Sequence, residues 1–473
     1  MNFEQEYNLA LQFFHEEDWG TSRKIFEKLS VIEGLINSEV YAQIQLILVM
    51  IYEKEGDFSK AKDICENFSL ENSTYYFYSQ ELLALLYLET YSIKKFIFKF
   101  SELRQNPAKL SILPPYVYHL FDNIITATNP EALIRLQLSI AKILNILSIT
   151  QKQDELIAHY TTPTVAYLML DHKNQKEASK LRLNPTDFMN DPTEGILIDQ
   201  LFSFKAKQNP QFKQHKSFIG CFTLHHDSLN QFRLYGKENQ REASGVSLVL
   251  NRKQIFENQS NFTFIIHNLP NFQEEPVGFE NTTNEEELSK DLKSQQKSSD
   301  LKLPLYRCIY FDPDSGLTHV AQREEWTFCR QAKGCTENGW DEYKLKIDQV
   351  NKSVRELIAD IQKLIQEINP VDNSDEAELI EEILLPLRYL IKHYAFKEEQ
   401  ECRTIYITQW NDSRIQLDPN LKRIYVDYQS ILPAMEKIFL SVGALHHEST
   451  LQYLGQTADK TFNVKRSHNP FRT

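Results

Sequence analysis

The chain has 473 residues, 41% hydrophobic and 25% charged, with a formal net charge of -13. That length suits two or three domains, and the composition is that of a folded chain. The acidic balance argues against sequence-independent nucleic-acid binding, which needs clustered Lys and Arg against phosphates, so no nucleic-acid partner is expected.

The longest apolar run, residues 44–51, is broken by Gln45 and is too short for a bilayer, so no membrane partner is expected. The start, Met1-Asn2-Phe3-Glu4-Gln5-Glu6, is acidic and has no apolar core. A cytoplasmic location is therefore expected, or delivery into a host cytosol without a cleavable N-terminal signal. The six cysteines are scattered and read as reduced thiols. Cys329 and Cys335 are close, but nothing completes a zinc set, so no metal is expected.

Residues 1–150 read as helical. Leu9, Phe13 and Phe14, then Ile25, Phe26 and Leu29, recur at three- and four-residue steps. The stretch from Asp18 to Phe26 matches that from Asp57 to Cys65, with Trp19/Ser22 aligned on Phe58/Ala61. An aromatic followed three residues later by a small residue resembles the helical-hairpin turn of tetratricopeptide repeats. The small residue admits the partner helix, and the aromatic fills the wedge, so Trp19 and Phe58 are expected to be buried. The copies lie 39 residues apart, against a usual repeat of about 34, so the array is irregular. Residues 91–98 begin a weaker third copy. An ordinary helical bundle would show the same periodicity. Residues 131–148 form another helix, and the polar joint Gln151-Lys152-Gln153-Asp154-Glu155 marks the boundary to a second domain, 151–473.

Short β-like runs then appear at 156–158, 180–184, 217–222, 245–250, 262–266, 306–311, 403–407, 422–426, 437–442 and 461–465. Two segments interrupt them. Residues 281–300 are charged and poor in large apolar side chains, the composition of a mobile loop. Residues 322–394 are mainly helical, with Pro386 kinking the last helix or marking its start. The chain is thus α+β: a helical-repeat domain, then a β-rich domain with a helical insertion.

The β-rich part carries ordered motifs. They are His159-Tyr160-Thr161, Leu181-Arg182-Leu183, Phe188-Met189-Asn190-Asp191-Pro192 and Cys221-Phe222-Thr223. They continue with Phe232-Arg233-Leu234-Tyr235-Gly236, Gly245-Val246, Glu399-Gln400-Glu401-Cys402-Arg403 and Phe439-Leu440-Ser441-Val442-Gly443. The chain closes on Ser467-His468-Asn469-Pro470-Phe471-Arg472. In order and spacing these resemble an uncharacterised bacterial domain family whose core is similar to the ADP-ribosyltransferase fold, a split β-sheet. Phe232 stands where the family usually has tryptophan, and Ser441 intrudes before Gly443.

The resemblance implies an NAD-dependent mono-ADP-ribosyltransferase, itself a bacterial toxin, effector or defence protein, that modifies a protein or other macromolecular target, with the repeats choosing a protein target. NAD would be substrate. Glu401 would stabilise the oxocarbenium-like state, as a carboxylate does in glycoside cleavage. Glu399, placed on the same strand face by the two-residue period, would orient or deprotonate the acceptor. His159 would donate to a ribose hydroxyl, and Tyr160 or Tyr235 would cover the nicotinamide. Thr161, Asn190 and Asp191 would border the pocket. Arg403 would pair with the acids or meet the pyrophosphate, and Arg182 and Arg233 are further phosphate candidates. The resemblance also implies that His159, Tyr235 and Glu401 line one cleft.

Plainer readings stand beside these. Glu398, Glu399 and Glu401 also read as a solvated acidic patch, and His159 as a satisfied structural histidine. Asn190-Asp191-Pro192 also reads as a rigid turn, and Tyr235-Gly236 as a helix end. No Gly-rich phosphate loop, dinucleotide fingerprint or His-Glu-x-x-His occurs. The competing functions are an NAD glycohydrolase and a non-catalytic repeat adaptor with a nucleotide-binding domain.

Overall fold

The computed structural model describes residues 2–16, 18–36, 38–68, 74–105, 113, 115–171, 179–188, 193–204, 215–235, 242–257, 301–332, 336, 339–368 and 375–469. Asn190, Asp191, Gly236, the run 262–266, the segment 281–300 and residues 470–472 lie outside them. The described residues fall into two compact units, one within Met1–Ile134 and one within Arg135–Gln259 and Asp300–Thr473. The division falls inside the helix Pro130–Leu147, upstream of the polar joint. Architecture is α+β. Among the described residues no helix is long and apolar enough to cross a membrane.

In the first unit the described elements are helical. Phe3–His15, Trp19–Ser30, Glu39–Glu55, Phe58–Glu66, Thr74–Glu89, Ile93–Gln105 and Pro115–Thr126 pack each on the next. The matched sequence stretches share one local device. Asp18 and Asp57 are N-caps whose carboxylates accept from the backbone N–H of Thr21 and Lys60. The backbone N–H of each also closes the preceding helix, on the Phe13 and Tyr52 carbonyls at 2.9 and 2.8 Å. Ser92 repeats that bond to Tyr87 at 2.8 Å, which gives the weaker third copy the same turn. Gly56 (φ 79) and Tyr91 (φ 56) adopt the left-handed conformation this closure uses.

Ser22 and Ala61 are fully buried where paired helices meet, and the Ser22 hydroxyl donates to the Ala10 carbonyl at 2.9 Å. Trp19 and Phe58 are half-buried, not buried. Trp19 meets Phe14 edge-on at 5.2 Å. The small residue governs the helix contact; the aromatic lies at its margin.

The second unit holds β1 (Leu156–Thr161), β2 (Arg182–Pro185), β3 (His215–Thr223), β4 (Val246–Asn251), β5 (Tyr306–Arg307), β6 (Ile309–Phe311) and β7 (Thr318–Val320). It continues with β8 (Ile391–His393), β9 (Glu401–Gln409), β10 (Ile415–Asp418), β11 (Arg423–Asp427), β12 (Met435–Leu440) and β13 (Asn463–Arg466). The large sheet runs β10-β11-β2-β3-β1-β4-β12-β13, with β9 on β3 and β5 on β9. A small sheet runs β7-β6-β8.

β3 organises the large sheet. β9 pairs along one edge, from Thr223 opposite Glu401 to His215 opposite Gln409. Two strands share the other edge: β1 at Thr223, opposite Ala158, and β2 at Ile219 and Phe218. Gly220 lies in that divided stretch, where a Cβ would come 2.9 Å from Leu183 and 3.1 Å from Thr404. The apolar core beneath includes Ile157, Phe218, Phe222, Leu248, Leu250 and Ile438. Helices Glu325–Gln331, Gly339–Ile368 and Asp375–Arg388 form the insertion. The longest buries Ile347, Val354, Ile358, Ile361 and Ile365 at three-, four- and seven-residue steps. Pro386 lies in the last turn of Asp375–Arg388.

Ala61 leaves no room for a larger side chain. Ala61→Trp should destabilise the helical unit by roughly 1–3 kcal/mol through overpacking, read as a lower urea midpoint.

Candidate functional site

The two acids do not share a continuous strand. Glu399 ends a 3-10 turn, Tyr394–Glu399, and β9 begins at Glu401. Between them Gln400 is left-handed, at φ 48 and ψ 43, uncommon for a residue with a side chain. The expectation that the two-residue strand period aligns them is therefore corrected: a turn brings them together.

Both converge on Lys392 of β8, whose Nζ donates to Glu399 Oε2 and Glu401 Oε2 at 2.6 Å each. Arg403 Nε donates to Glu401 Oε1 at 2.8 Å, and its Nη2 donates to Glu194 Oε1 at 2.6 Å. The Glu401 backbone N–H donates to the Tyr310 hydroxyl oxygen at 2.8 Å. The Tyr235 hydroxyl donates to Glu399 Oε1 at 3.3 Å. Glu399, Glu401, Lys392 and Arg403 are all buried.

Three carboxylates thus meet two cations, and the imbalance falls on one acid. Burial pushes the Glu401 carboxyl up, but Arg403 and Lys392 more than reverse this and lower it to about 2. Burial raises Glu399; Lys392 opposes the rise, and the charge on Glu401 adds to it. Glu401 is a fixed anion, and Glu399 is the acid that more readily takes a proton.

Beside Glu399 lies a concavity of about 330 Å³. It is lined by Ser228, the N-cap of the helix Leu229–Leu234, by Asn230 and Arg233 of that helix, by Glu242, and by Ala395, Phe396, Glu398 and Glu399. Arg233 is paired with Glu242 at 3.5 Å. Arg233 is taken by Glu242 and Glu399 by Lys392, so Glu398 is the lining carboxylate without an ion pair among the described residues, and it suits a cationic group better than a phosphate.

The structure therefore brings together Glu399, Glu401, Arg403 and Tyr235, with Arg233 across the concavity. His159 lies elsewhere. Ala158 is opposite Thr223, which is opposite Glu401, so these three share one face of the sheet. Side chains alternate, so His159 turns to the other face, where its ring packs on Phe222 at 5.6 Å. His159 Nδ1 lies 2.9 Å from the Cys221 carbonyl, on the edge of β3 where β1 and β2 part. A carbonyl accepts only, so Nδ1 carries the proton. The expected single cleft of His159, Tyr235 and Glu401 is accordingly corrected: Tyr235 joins the acids and His159 closes a gap in the sheet.

Tyr160 is also engaged. Its hydroxyl donates to the His225 carbonyl at 2.9 Å, accepts from the Ser228 N–H at 2.7 Å, and its ring meets Phe232 at 5.0 Å. Thr161 ends β1 opposite Val246. Arg182 pairs with Asp418 at 2.8 Å and lies over Tyr425 at 4.0 Å, with no part in the site.

Lys392, Glu194 and Tyr310 were not found from sequence. Lys392 lies at the end of the segment read as helical, with only a three-residue strand around it. Asp154, in the polar joint, is not a linker residue. It is fully buried between Arg307 Nη2 at 2.5 Å and Arg323 Nε at 2.9 Å. Among the described residues no group of three or more His, Cys, Asp or Glu is placed to hold a metal ion.

Burial alone would raise the Asp154 carboxyl, but Arg307 and Arg323 hold it below its ordinary 3.8. A depressed folded value means the stabilisation is present above 3.8 and is lost as pH falls through the folded value. Asp154→Asn leaves two buried guanidinium groups without a counter-charge and should cost about 3–5 kcal/mol near neutral pH. Urea titrations at several pH values should show that difference narrowing only below 3.8.

Comparison with protein-family models, curated proteins and solved structures gave no match. A functional reading of this chain therefore rests on its own residues.

Proposed function

We propose that the second unit is an NAD-consuming ADP-ribosyltransferase-like domain and that the helical unit is a tetratricopeptide-like module that recognises its protein target. The carrying observation is the acid pair: Glu401 held ionised at about 2, and Glu399 raised beside the concavity. Neighbouring carboxylates pushed apart in proton affinity are a usual mark of divided labour. The motif order supplies the substrate class.

In this reading the bond from the ribose anomeric carbon to the nicotinamide nitrogen breaks, and nicotinamide leaves neutral. The positive charge passes to the ribose, and the fixed anion Glu401 favours it electrostatically. An acceptor oxygen or nitrogen bonds to that carbon, and its proton goes to Glu399. Tyr235 orients Glu399. The acid-lined concavity suits the cationic nicotinamide end of NAD, and its volume, about 330 Å³, fits one half of a dinucleotide. With water as acceptor the same site would be an NAD glycohydrolase. The recurrent Asp-capped turn supports the repeat reading of the helical unit. The proposed setting is cytoplasmic, as a toxin, effector or defence protein.

One observation favours a second reading, a nucleotide-binding module without turnover. Both Glu401 oxygens are already bonded, by Arg403 and Lys392, and His159 faces away. The full chain incubated with labelled NAD and a cell lysate separates the readings. Transfer gives labelled protein, hydrolysis gives free ADP-ribose, and binding alone gives neither. If the enzyme reading holds, Glu401→Gln should keep NAD binding and lower turnover by about two to four orders of magnitude. Glu399→Gln should reduce transfer to protein more than hydrolysis. Unchanged turnover in Glu401→Gln would remove the catalytic role.

A further inference from the structure

We propose that the helical unit carries a docking groove for an acidic peptide segment anchored by an aromatic or large aliphatic side chain. The groove has a volume of about 590 Å³ and lies between the faces of two consecutive helices. Thr74–Glu89 presents Tyr76, Gln80, Leu83 and Tyr87, at steps of three and four residues, hence one face. Ile93–Gln105 presents Lys94, Phe98 and Glu102 at four-residue steps, with Lys95 and Lys99 beside them.

Leu83 and Phe68 are buried and form an apolar floor. Phe98 stands at the lip with 67% of its surface exposed. Around this apolar strip the charges are unequal. Glu66 already accepts from the Tyr87 hydroxyl at 2.7 Å, and Glu102 is paired with Lys99 at 3.2 Å. Lys94 and Lys95 are exposed and make no ion pair among the described residues; Lys95 lies over the Tyr87 ring at 5.2 Å. Three lysines thus face two glutamates in the lining, and Lys94 and Lys95, neither of them ion-paired among the described residues, flank an exposed phenylalanine on a chain whose net charge is -13.

Charge complementarity selects the occupant. A segment with Asp or Glu beside a large apolar side chain places its anions at Lys94 and Lys95 and its anchor against Phe98 and Leu83. A nucleic acid would call for a wider basic surface than two free lysines. The inference deepens the recognition role proposed for the helical unit and rests on that reading, but its test needs no NAD chemistry.

Fluorescence anisotropy of a labelled Asp-Glu-Trp-Glu-Asp peptide with the full chain reads it. Saturable binding that weakens with added salt is expected, at least tenfold weaker for the peptide with Ala replacing Trp and for Phe98→Ser. The double variants Lys94→Glu/Lys95→Glu and Lys94→Gln/Lys95→Gln should each lose at least tenfold, with their helical circular dichroism unchanged. No saturable binding, equal binding of a Lys-Arg-Trp-Arg-Lys peptide, preference for a single-stranded RNA, or unchanged affinity in both double variants would overturn the proposal. NAD cleavage is measured on the same proteins. Peptide binding without NAD cleavage sinks the catalytic reading alone, and cleavage without peptide binding sinks the groove alone.

Discussion

Arg307 and Arg323 are fully buried, and a single carboxylate, Asp154, stands between them. A buried charge persists only where it is paired and hydrogen-bonded. One anion cannot balance two guanidinium groups, so backbone and amide oxygens take the rest. Arg307 donates to the Ala321 carbonyl and to Gln151 Oε1, both at 2.8 Å. Arg323 donates to the Leu156 carbonyl at 2.8 Å and to the Leu224 carbonyl. These contacts tie together the start of β1, the end of β3 and the loop after β7. They hold β3 and β5, the two strands that pair with β9. The residues that looked like a linker are the anchor of the second unit.

The segment after β3 turns that anchor toward the acids. The Leu224 N–H donates to the Gln400 carbonyl at 3.0 Å, and Thr223 Oγ1 donates to the Glu399 carbonyl at 2.6 Å. Asp227, three residues on, accepts from Ser467 Oγ at 2.5 Å and from Asn469 Nδ2 at 2.9 Å, so the described part of the C-terminal motif clamps this loop. Tyr160 holds the same loop from β1. Gly443 closes the frame: a Cβ there would lie 2.6 Å from the Ala243 carbonyl oxygen. Much of what the motif order marks is scaffold for one loop, and only part of it reaches the acids.

How much was legible follows from what each signal depends on. Most strands with clear β-branched and apolar patterning were found, because their burial is written in their own residues. β7, β8 and β10 were not; at three or four residues each they carry no period of their own and exist through pairing. The run 306–311 was read as one strand but is two, in different sheets, since a change of partner leaves no compositional mark. In the site, Glu399, Glu401, Arg403 and Tyr235 were named. Lys392 was missed because nothing local distinguishes a buried lysine from a surface one. His159 was named in the wrong place because alternation fixes its face only once the register of β1 on β3 is known.

The same dependence explains why the acids differ. On a continuous strand, residues two apart are held on one face with their backbones roughly 7 Å apart, and their side chains meet only by leaning together, as those of Glu401 and Arg403 do. Left-handed Gln400 removes that constraint by ending the 3-10 turn just before β9. Glu399 then meets Lys392 from the turn and Glu401 meets it from the strand, each at 2.6 Å. Glu401 keeps a second cation, Arg403, which Glu399 does not reach. The asymmetry therefore arises from one backbone conformation and one strand neighbour. A strained residue held between two buried acids is the kind of cost that folds retain where a site requires it.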